Sequence, residues 1–579
     1  LATLAPGTAV RTFLLDGAGK LLADVAIARL ETDEHGRDCF WMSVNRADAA
    51  RVIPWLHGLS DGYILFDDTD VFRKVQGPVT IAEVCDADLS RFKSAGPSVA
   101  QSGASGAALF QKYPDRFDLT KPYFVGAHSV IAPRDFSQTT LEMTRASDKV
   151  GWKWSEPTDA PLKRTVLYES HKALGAKIVP FAGWEMPVWY TSVSDEHAAV
   201  RNAAGLFDVS HMGCLEVAGE NAIAFLDTVM SNYAHWLDDG QSCYGYLLDP
   251  DGKVIDDLMI YRRRADKFLV VVNASNADKD WDWLTAVNAQ RVVIDRKRPW
   301  IQIAAPAILR NLKDASAGAD QLRDIALQGP ASIAILQACA NDAATKDKIA
   351  RVRRTDLIEI KLSDIPIVVA RTGYTGEDVG FEIFVHPDQQ IALWKMLLEQ
   401  GKPFGIKPCG LGARDSTRTE AGLPLYGHEL AGHFDISPIE AGFQGYVKYH
   451  KPFFIGRDAL MARDQNRARA LIRFRMNQKG VRRPSTGNPV VNKQGQVIGY
   501  VTSCSLDSEG YLLGLAIVEM AYTTEGTPLA IFVLPEKPVA EKPKPELIVG
   551  DRTLLPVEAT VVRRFPLKKQ ARTQVQAHD

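Results

Sequence analysis

The chain contains an internal repeat, so its fold must accommodate two copies of one structural unit. Residues 14–25 (LLDGAGKLLADV) align with residues 247–258 (LLDPDGKVIDDL), which places Asp24 on Asp257. Three further blocks follow in the same order: residues 41–45 with 269–273, 75–78 with 327–330, and 121–126 with 451–456. Each aligned block 14–25 and 247–258 has two apolar runs joined by a Gly-containing turn, which predicts a β-hairpin, and the first copy lacks the segments that precede this hairpin in the second. We therefore expect a shortened copy followed by a complete one.

The length of 579 residues exceeds what a single hydrophobic core supports. Short β-rich runs separated by Gly turns after residue 471 predict a small antiparallel barrel or sandwich. Within the second copy, helices are expected over residues 195–205 and 389–400. The predicted parts are a shortened copy (1–133), a linker (134–162), the second copy (163–470), and the C-terminal β-domain with its basic tail (471–579).

Composition excludes several classes of protein. The net charge of −2 gives no overall electrostatic signature for nucleic acid. The apolar runs are too short and too interrupted to span a bilayer, so no membrane partner is expected. The seven cysteines are scattered, without a CxxC pair, which argues against a zinc site or a disulfide framework. We expect no bound metal and a reducing, cytoplasmic location.

The segment 252–261 (GKVIDDLMIY) places two adjacent carboxylates inside an apolar run. In a strand, neighbouring side chains point to opposite faces, so one of Asp256 and Asp257 faces inward. A buried carboxylate is costly unless it is hydrogen-bonded or used, which makes the pair a candidate site. The alternative is a simple hairpin, in which residues 249–252 (DPDG) form the turn and Asp256 only caps or edges it.

Several polar and aromatic residues accompany the Asp pair in the second copy. Aromatic rings with a few carboxylates, an amide and an arginine suit a flat, polar heterocycle. The candidates are Tyr244, Tyr261, Asn273, Tyr374, Glu382 and Arg414. A further residue, His211, could act as a base, but a structural role with satisfied hydrogen bonds is favoured. The glycines Gly373 and Gly376 fit a turn and match neither a P-loop nor a dinucleotide fingerprint.

Long strings in residues 163–570 resemble the T-protein family of the glycine cleavage system, the folate-dependent aminomethyltransferases. They include residues 181–187 (FAGWEMP), 205–213 (GLFDVSHMG), 371–377 (RTGYTGE) and 410–415 (GLGARD). The first copy resembles related folate-binding proteins in a shortened form. The resemblance implies an α+β, three-part, cloverleaf-like fold with a C-terminal β-barrel, here preceded by a shortened homologous N-terminal domain.

The resemblance also implies the chemistry. The one-carbon unit of an aminomethyl-lipoyl carrier protein (H-protein) would pass to tetrahydrofolate, the co-substrate, and ammonia would leave. By the same resemblance Asp257 is the catalytic carboxylate. Tyr244, Tyr261 and Asn273 are pocket residues, Tyr374 lies near the folate, Glu382 holds the pterin edge, and Arg414 is the folate-side arginine.

Departures from the family pattern leave alternatives open. Val379 adds one residue between Tyr374 and Glu382, which questions the register of Glu382. In the first copy Arg11 and Ala28 replace two tyrosines, so a structural or carrier-docking role is expected there. A folate-dependent demethylase of a small methylated substrate and a non-catalytic folate-binding regulatory protein are the competing functions.

Overall fold

The fold is that of a computed structural model, which describes residues 4–16, 19–32, 38–60, 81, 106–116, 149–156, 160–534, 544–551 and 554–566. The chain divides into two units. The first comprises Leu1–Trp152, Val287–Ala305 and Lys448–Phe454, and the second comprises Lys153–Ala286, Pro306–Val447 and Ile455–Asp579. The repeat blocks at 75–78 and 121–126, most of the predicted linker and the end of the basic tail lie outside the described residues.

The first unit contains a three-stranded antiparallel sheet in the order β1-β2-β3. Its elements are β1 (Ala9–Leu15), β2 (Leu21–Arg29), β3 (Phe40–Ser43), α1 (Arg46–Ser60) and α2 (Gly106–Lys112). Inward side chains alternate along β2, and Ala23, Val25 and Ile27 form a small core with Val52 of α1. The predicted N-terminal hairpin is therefore present on either side of residues 17–18.

The second unit begins with a small three-stranded sheet in the order β4-β6-β5 and continues into a five-stranded antiparallel sheet in the order β12-β8-β11-β10-β9. The small sheet and its helix are β4 (Lys163–Arg164), α3 (Tyr168–Ala173), β5 (Lys177–Phe181) and β6 (Trp184–Trp189). The five-stranded sheet and its helices are β8 (Gly213–Ala218), α5 (Ala222–Val229), β9 (Gln241–Leu248), β10 (Val254–Arg264), β11 (Lys267–Val272), α6 (Ala277–Asn288, whose last two residues belong to the first unit) and β12 (Ile308–Asn311).

The strand pairing of the first hairpin repeats that of β9 and β10. In the first unit Phe13 pairs with Asp24, and in the second Tyr246 pairs with Asp257. The matched positions differ by the same 233 residues on both strands (246 − 13 and 257 − 24). An aligned sequence repeat thus corresponds to one hairpin register, because the register fixes which side chains share a face.

A six-stranded mixed sheet has the order β14-β15-β16-β13-β7-β17, in which β17 runs parallel to β7. One face packs on helices around Ile325, Leu327, Leu393 and Trp394. The other face meets the five-stranded sheet around a core that includes Phe384. The elements are α4 (Val193–Asn202), β7 (Ala204–Asp208), β13 (Arg323–Gln328), α7 (Ser332–Ala338), α8 (Ala343–Arg351), β14 (Leu357–Leu362), β15 (Ile365–Ala370), β16 (Gly380–Val385), α9 (Pro387–Gly401), β17 (Ile406–Cys409) and α10 (Leu411–Ala421).

The C-terminal strands close into a six-stranded barrel in the order β18-β21-β20-β19-β22-β23. Closure leaves no unpaired sheet edge, which suits short strands with Gly turns. With α11 (Arg457–Gln465) before it, the barrel comprises β18 (Arg469–Met476), β19 (Pro489–Val491), β20 (Val497–Leu506), β21 (Leu512–Glu519), β22 (Pro528–Ile531) and β23 (Val557–Val562). The predicted α+β class with a C-terminal barrel is confirmed, and the barrel rather than the sandwich is formed.

The helix expected over residues 195–205 is wrong at its C-terminal end. It spans Val193–Asn202, and residues 204–208 form the buried strand β7 instead. A Cβ at Gly205 would lie 2.5 Å from a methyl carbon of Val200 and 2.8 Å from Cys409 Sγ, so this strand requires a glycine for close packing. A short apolar run does not show by itself whether it continues a helix or starts a buried strand. The helix expected over 389–400 lies within Pro387–Gly401.

Candidate active site

The two carboxylates of the Asp pair occupy opposite faces of β10. The side chain of Asp256 is fully buried, whereas Asp257 is partly exposed on the other face. The hairpin turn that precedes them contains Gly252 at φ +75°, where an added Cβ would lie 2.6 Å from the backbone nitrogen of Leu460. A glycine is therefore required at this turn. The costly inward carboxylate is thus Asp256, and Asp257 is the one presented outward.

Two side chains hold Asp257 from the flanking strands. The hydroxyl of Tyr244 on β9 donates to Oδ2 at 2.8 Å, and Nδ2 of Asn273, just after β11, donates to Oδ1 at 2.9 Å. The same amide also reaches the Asp257 carbonyl oxygen at 3.1 Å. With both carboxylate oxygens engaged, the orientation of Asp257 is fixed before any ligand binds.

The surroundings of Asp257 raise the pKa of this carboxyl to about 7. Burial is the largest cause and the charge of Asp256 is the second, while the hydrogen bonds from Tyr244 and Asn273 act in the opposite direction. Burial and the Asp257 charge likewise raise the pKa of the Tyr244 phenol well above its usual value. A carboxyl group that titrates near neutral pH can accept and return a proton under physiological conditions.

Asp256 accepts hydrogen bonds on the opposite face. The backbone nitrogen of Asn273 donates to Oδ2 at 2.9 Å, and Nδ2 of Asn273 donates to Oδ1 at 2.8 Å. The amide of Asn276 also donates to Oδ1. These donors satisfy a carboxylate whose burial would otherwise be unfavourable. Asn273 therefore joins the two carboxylates of the pair.

A second cluster surrounds Glu382 on β16. The hydroxyl of Tyr261 donates to Glu382 Oε2, and the hydroxyl of Thr372 donates to the same oxygen at 2.7 Å. Glu382 pairs with Ala326 of β13 and with Ala370 of β15, so the extra Val379 lies before the strand and leaves this register continuous. Tyr261 follows Asp257 by four residues on β10, which places both on one face of that strand.

A narrow cleft lies beside the Glu382 cluster. Three predicted site residues line it, namely Tyr374, Glu382 and Arg414. The guanidinium of Arg414 stands 5.5 Å from the centre of the Tyr374 ring, and the Tyr374 hydroxyl donates to the carbonyl of Pro424. The remaining lining residues are Phe207, Val209, Ala326, Gln328 and Thr375. The cleft thus combines apolar walls with one carboxylate and one guanidinium.

The seven predicted site residues form connected groups. Hydrogen bonds join Asp257 to Tyr244 and Asn273, and another joins Tyr261 to Glu382. Tyr374 is close enough to Asp257 for the carboxylate charge to contribute to the raised pKa of the Tyr374 phenol. The hydrogen bonds therefore make two clusters, around Asp257 and around Glu382, and Tyr374 lines the cleft with Glu382 while it feels the charge of Asp257.

Gln328 also lines the cleft, although no sequence motif pointed to it as a site residue. Its amide donates to the carbonyls of Thr372 at 3.2 Å and Phe381 at 3.3 Å, and the Thr375 hydroxyl donates to Oε1 at 2.9 Å. An added Cβ at Gly373 would lie 2.0 Å from Oε1, so this glycine makes room for the amide as well as forming a turn. Gln328 lies in the repeated block 327–330 (LQGP), but the repeat indicated only homology between the two copies and not a site residue.

The expectation of a satisfied structural histidine at position 211 is wrong at one ring nitrogen. His211 is buried, and Nδ1 has no hydrogen-bond partner among the described residues. Burial, followed by the nearby charge of Arg414, lowers the pKa of this imidazole to about 3. The side chain is therefore neutral at physiological pH, which makes it unsuitable as a base that must hold a proton.

The matching carboxylate in the first unit is ion-paired. Arg11 Nε lies 3.0 Å from Asp24 Oδ1, and Arg116 Nη1 lies 3.6 Å from the same oxygen. Arg11 occupies the position of Tyr244, so the phenol–carboxylate pair of the second unit is replaced by two cations on one carboxylate. The matching position to Asp256 is Ala23, a residue without a polar side chain.

Known aminomethyltransferases are similar to this chain in sequence. Residues 167–451 match the model of the GCVT N-terminal domain. The chain is 43% identical over 379 residues to an aminomethyltransferase of Symbiobacterium thermophilum, which covers 64% of this chain and 93% of that protein. It is 39% identical over 381 residues to an aminomethyltransferase of Caldanaerobacter subterraneus subsp. tengcongensis, at 64% and 92% coverage.

A solved structure of an aminomethyltransferase is also similar to the fold of this chain. The glycine cleavage system aminomethyltransferase T from Bartonella henselae superposes with a TM-score of 0.56 at 29% identity, covering 69% of this chain and 97% of that chain. The match in sequence extends over nearly the whole length of the relatives, and the match in structure covers 97% of the solved chain. The chain therefore belongs to the glycine cleavage T-protein family of aminomethyltransferases.

Proposed function

We propose that this protein transfers the one-carbon unit of an aminomethyl-lipoyl carrier protein to tetrahydrofolate and releases ammonia. The observation that carries the proposal is the outward carboxylate of Asp257. It is held by Tyr244 and Asn273 and has a pKa raised to about 7. The departing amine and the attacking folate nitrogen both exchange protons, and one positioned carboxylate near neutrality can serve both.

The cleft supports tetrahydrofolate as the co-substrate. A pterin ring is flat and carries several N–H donors on one edge, which suits aromatic walls and a carboxylate. The hydroxyl groups of Tyr261 and Thr372 donate to Oε2 of Glu382. In our proposal, Oε1 of Glu382 accepts hydrogen bonds from the N–H groups of the pterin edge. Arg414 supplies positive charge over Tyr374 for an acceptor group of the folate. In this assignment the chain binds and orients the folate, and Asp257 manages the protons.

The test is a reaction of the full chain with aminomethyl-loaded lipoyl carrier protein and tetrahydrofolate. We expect ammonia and methylene-tetrahydrofolate in equal amounts. Formation of methyl-tetrahydrofolate from small methylated donors, with no reaction of the carrier, would replace the proposal with the demethylase. Folate binding without turnover of any donor would leave a folate-binding regulatory protein.

We also propose a cytoplasmic location for this reaction. The six described cysteines, which exclude only Cys85, are all free thiols. Free thiols are the usual state of cysteine in a reducing compartment. Within the described parts of the chain, no helix has both the length and the apolar character needed to cross a bilayer. Fractionation of source cells with an antibody to the chain would test this location.

A further inference from the structure

A second carboxyl group lies against the buried member of the Asp pair. Asp280 on α6 is fully buried, as is Asp256 on β10, and the two carboxyl groups are close enough that the charge of Asp256 and a hydrogen bond shared with it both raise the pKa of Asp280. Two carboxyl groups can share a hydrogen bond only when one of them carries a proton, since an ionised carboxylate has no donor. The pair therefore holds one proton in the interior, on one specific partner.

The donors around the pair identify that partner. Asp256 accepts from the backbone and side-chain nitrogens of Asn273 and from the amide of Asn276. All of these nitrogen groups are hydrogen-bond donors, so the Asp256 oxygens act as acceptors. Asp256 is therefore the ionised member of the pair. Neither oxygen of Asp280 has a donor among the described residues, so no donor stabilises a negative charge there. Burial and the charge of Asp256 also raise the pKa of Asp280 well above its ordinary value.

Asn273 transmits this arrangement to the outward carboxylate. Its Nδ2 lies 2.8 Å from Asp256 Oδ1 and 2.9 Å from Asp257 Oδ1. We propose that Asp280 keeps the proton of the buried pair and donates it to Asp256, and that Asp256 thereby holds Asn273 in the orientation that positions Asp257. Asp256 and Asp280 are then positioning residues for the transfer reaction. This inference rests on the proposed function, because Asp257 is the group that they position.

Few other charged or titratable groups face the network. Lys279 Nζ donates to Asn276 Oδ1 at 2.9 Å and to the Tyr426 hydroxyl at 2.9 Å, and it opposes the charges of Asp256 and Asp280. Other groups with electrostatic influence on this network are Glu156, Tyr244, Tyr246, Tyr374 and Tyr426. The tyrosines are neutral at physiological pH, so Lys279 is the main counter-charge in the described surroundings.

The experiment compares D256N, D280N and D280L with D278N as the matched control. Asp278 is an exposed residue on the same helix as Asp280, and D278N should leave activity and stability unchanged. An Asn at position 280 still donates to Asp256, so kcat of D280N should fall less than about fivefold. Leucine at 280 donates nothing, and Asn at 256 replaces one acceptor oxygen with an NH2 donor that faces the donors of Asn273 or Asn276. We expect kcat to fall roughly a hundredfold in D256N and at least tenfold in D280L, with the Kd of tetrahydrofolate changed less than about threefold.

The pH profile supplies a second measurement, which a purely structural role would not affect. If Asp280 is neutral in the wild type, D280N changes no charge beside Asp257, and the acidic limb of kcat/KM stays within about 0.3 pH unit. If Asp280 is ionised, D280N removes a negative charge near Asp257, which lowers the Asp257 pKa. The acidic limb of kcat/KM then shifts to lower pH by more than about 0.5 pH unit. The second result, or a D280N that is as inactive as D256N, overturns the assignment of the proton.

The design separates failure of this inference from failure of the proposed function. Wild-type protein that does not form methylene-tetrahydrofolate from the carrier refutes the function itself. Active wild type with equally active D256N refutes the positioning role and leaves the function intact. If D256N fails to fold, as shown by its melting temperature, the contrast between D280N and D280L decides, because only Asn can donate to Asp256.

Discussion

Replacement of Asp257 by Asn should inactivate the protein and stabilise it at the same time. The wild-type carboxyl has a pKa of about 7 in the folded chain against an ordinary value of 3.8. Above pH 7 it is therefore ionised in a place that favours the neutral form. Asparagine has the same shape without the charge; its oxygen can accept from Asn273, and its NH2 group can donate to the Tyr244 hydroxyl, which then accepts instead of donating. The variant removes the cost of the charge and keeps the packing.

The magnitude follows from linkage between protonation and folding. A difference of about 3 pKa units corresponds to about 4 kcal/mol at 1.36 kcal/mol per unit. Because the Tyr244 and Asn273 donors lose a charged acceptor in the variant, we expect a net gain of about 2–4 kcal/mol at pH 8. The folded wild type binds the extra proton between pH 4 and 7, so its stability falls over that range. The advantage of D257N should thus be small near pH 4, grow up to pH 7, and stay constant above it.

Thermal unfolding measured from pH 4 to pH 8.5 tests this reasoning. The melting temperature of D257N should exceed that of the wild type by about 2–4 °C at pH 8, because the unfolding entropy of so large a unit is high. In the transfer assay, kcat should fall by about 10²–10⁴, the usual contribution of a proton-transfer group. A melting-temperature difference independent of pH, or a D257N less stable at pH 8, would refute the account of Asp257. Full activity of D257N would refute its catalytic role.

Three further substitutions test other parts of the structure. In Y244F, loss of a hydrogen bond that lowers the Asp257 pKa should move the acidic limb of kcat/KM up by about one pH unit; an unchanged limb would contradict the observed pairing. In E382Q, loss of the charged acceptor should weaken tetrahydrofolate binding at least about tenfold in a fluorescence titration, with little change in melting temperature. In W394A, a cavity in the buried core of the six-stranded sheet should cost about 3–5 kcal/mol in urea unfolding, whereas I391A on the exposed side of the same helix should cost less than about 1 kcal/mol.

The sequence predicted the local structure where short-range chemistry decides it. Turn residues and alternating apolar positions were enough for the hairpin around Gly252, and Gly turns were enough for β-rich structure after residue 471. The repeat added more, since the register of Phe13 with Asp24 is the register of Tyr246 with Asp257. By contrast, residues 204–208 form a buried strand because Gly205 packs against a helix and a neighbouring strand, and no local pattern contains that information.

Some features of the candidate site follow from the sequence alone, and others depend on tertiary packing. The sequence by itself determined that Asp256 and Asp257 lie on opposite faces of one strand, because successive side chains of a strand alternate. The tertiary structure decided which of the two is buried, because that depends on the elements packed on each face. It also brought Asn276 and Asp280 to the inner face of β10 and Gln328 to the cleft. These contacts, and the burial of Asp257 itself, arise only when the sheets and helices pack, and burial together with the charge of Asp256 is what raises the pKa of Asp257.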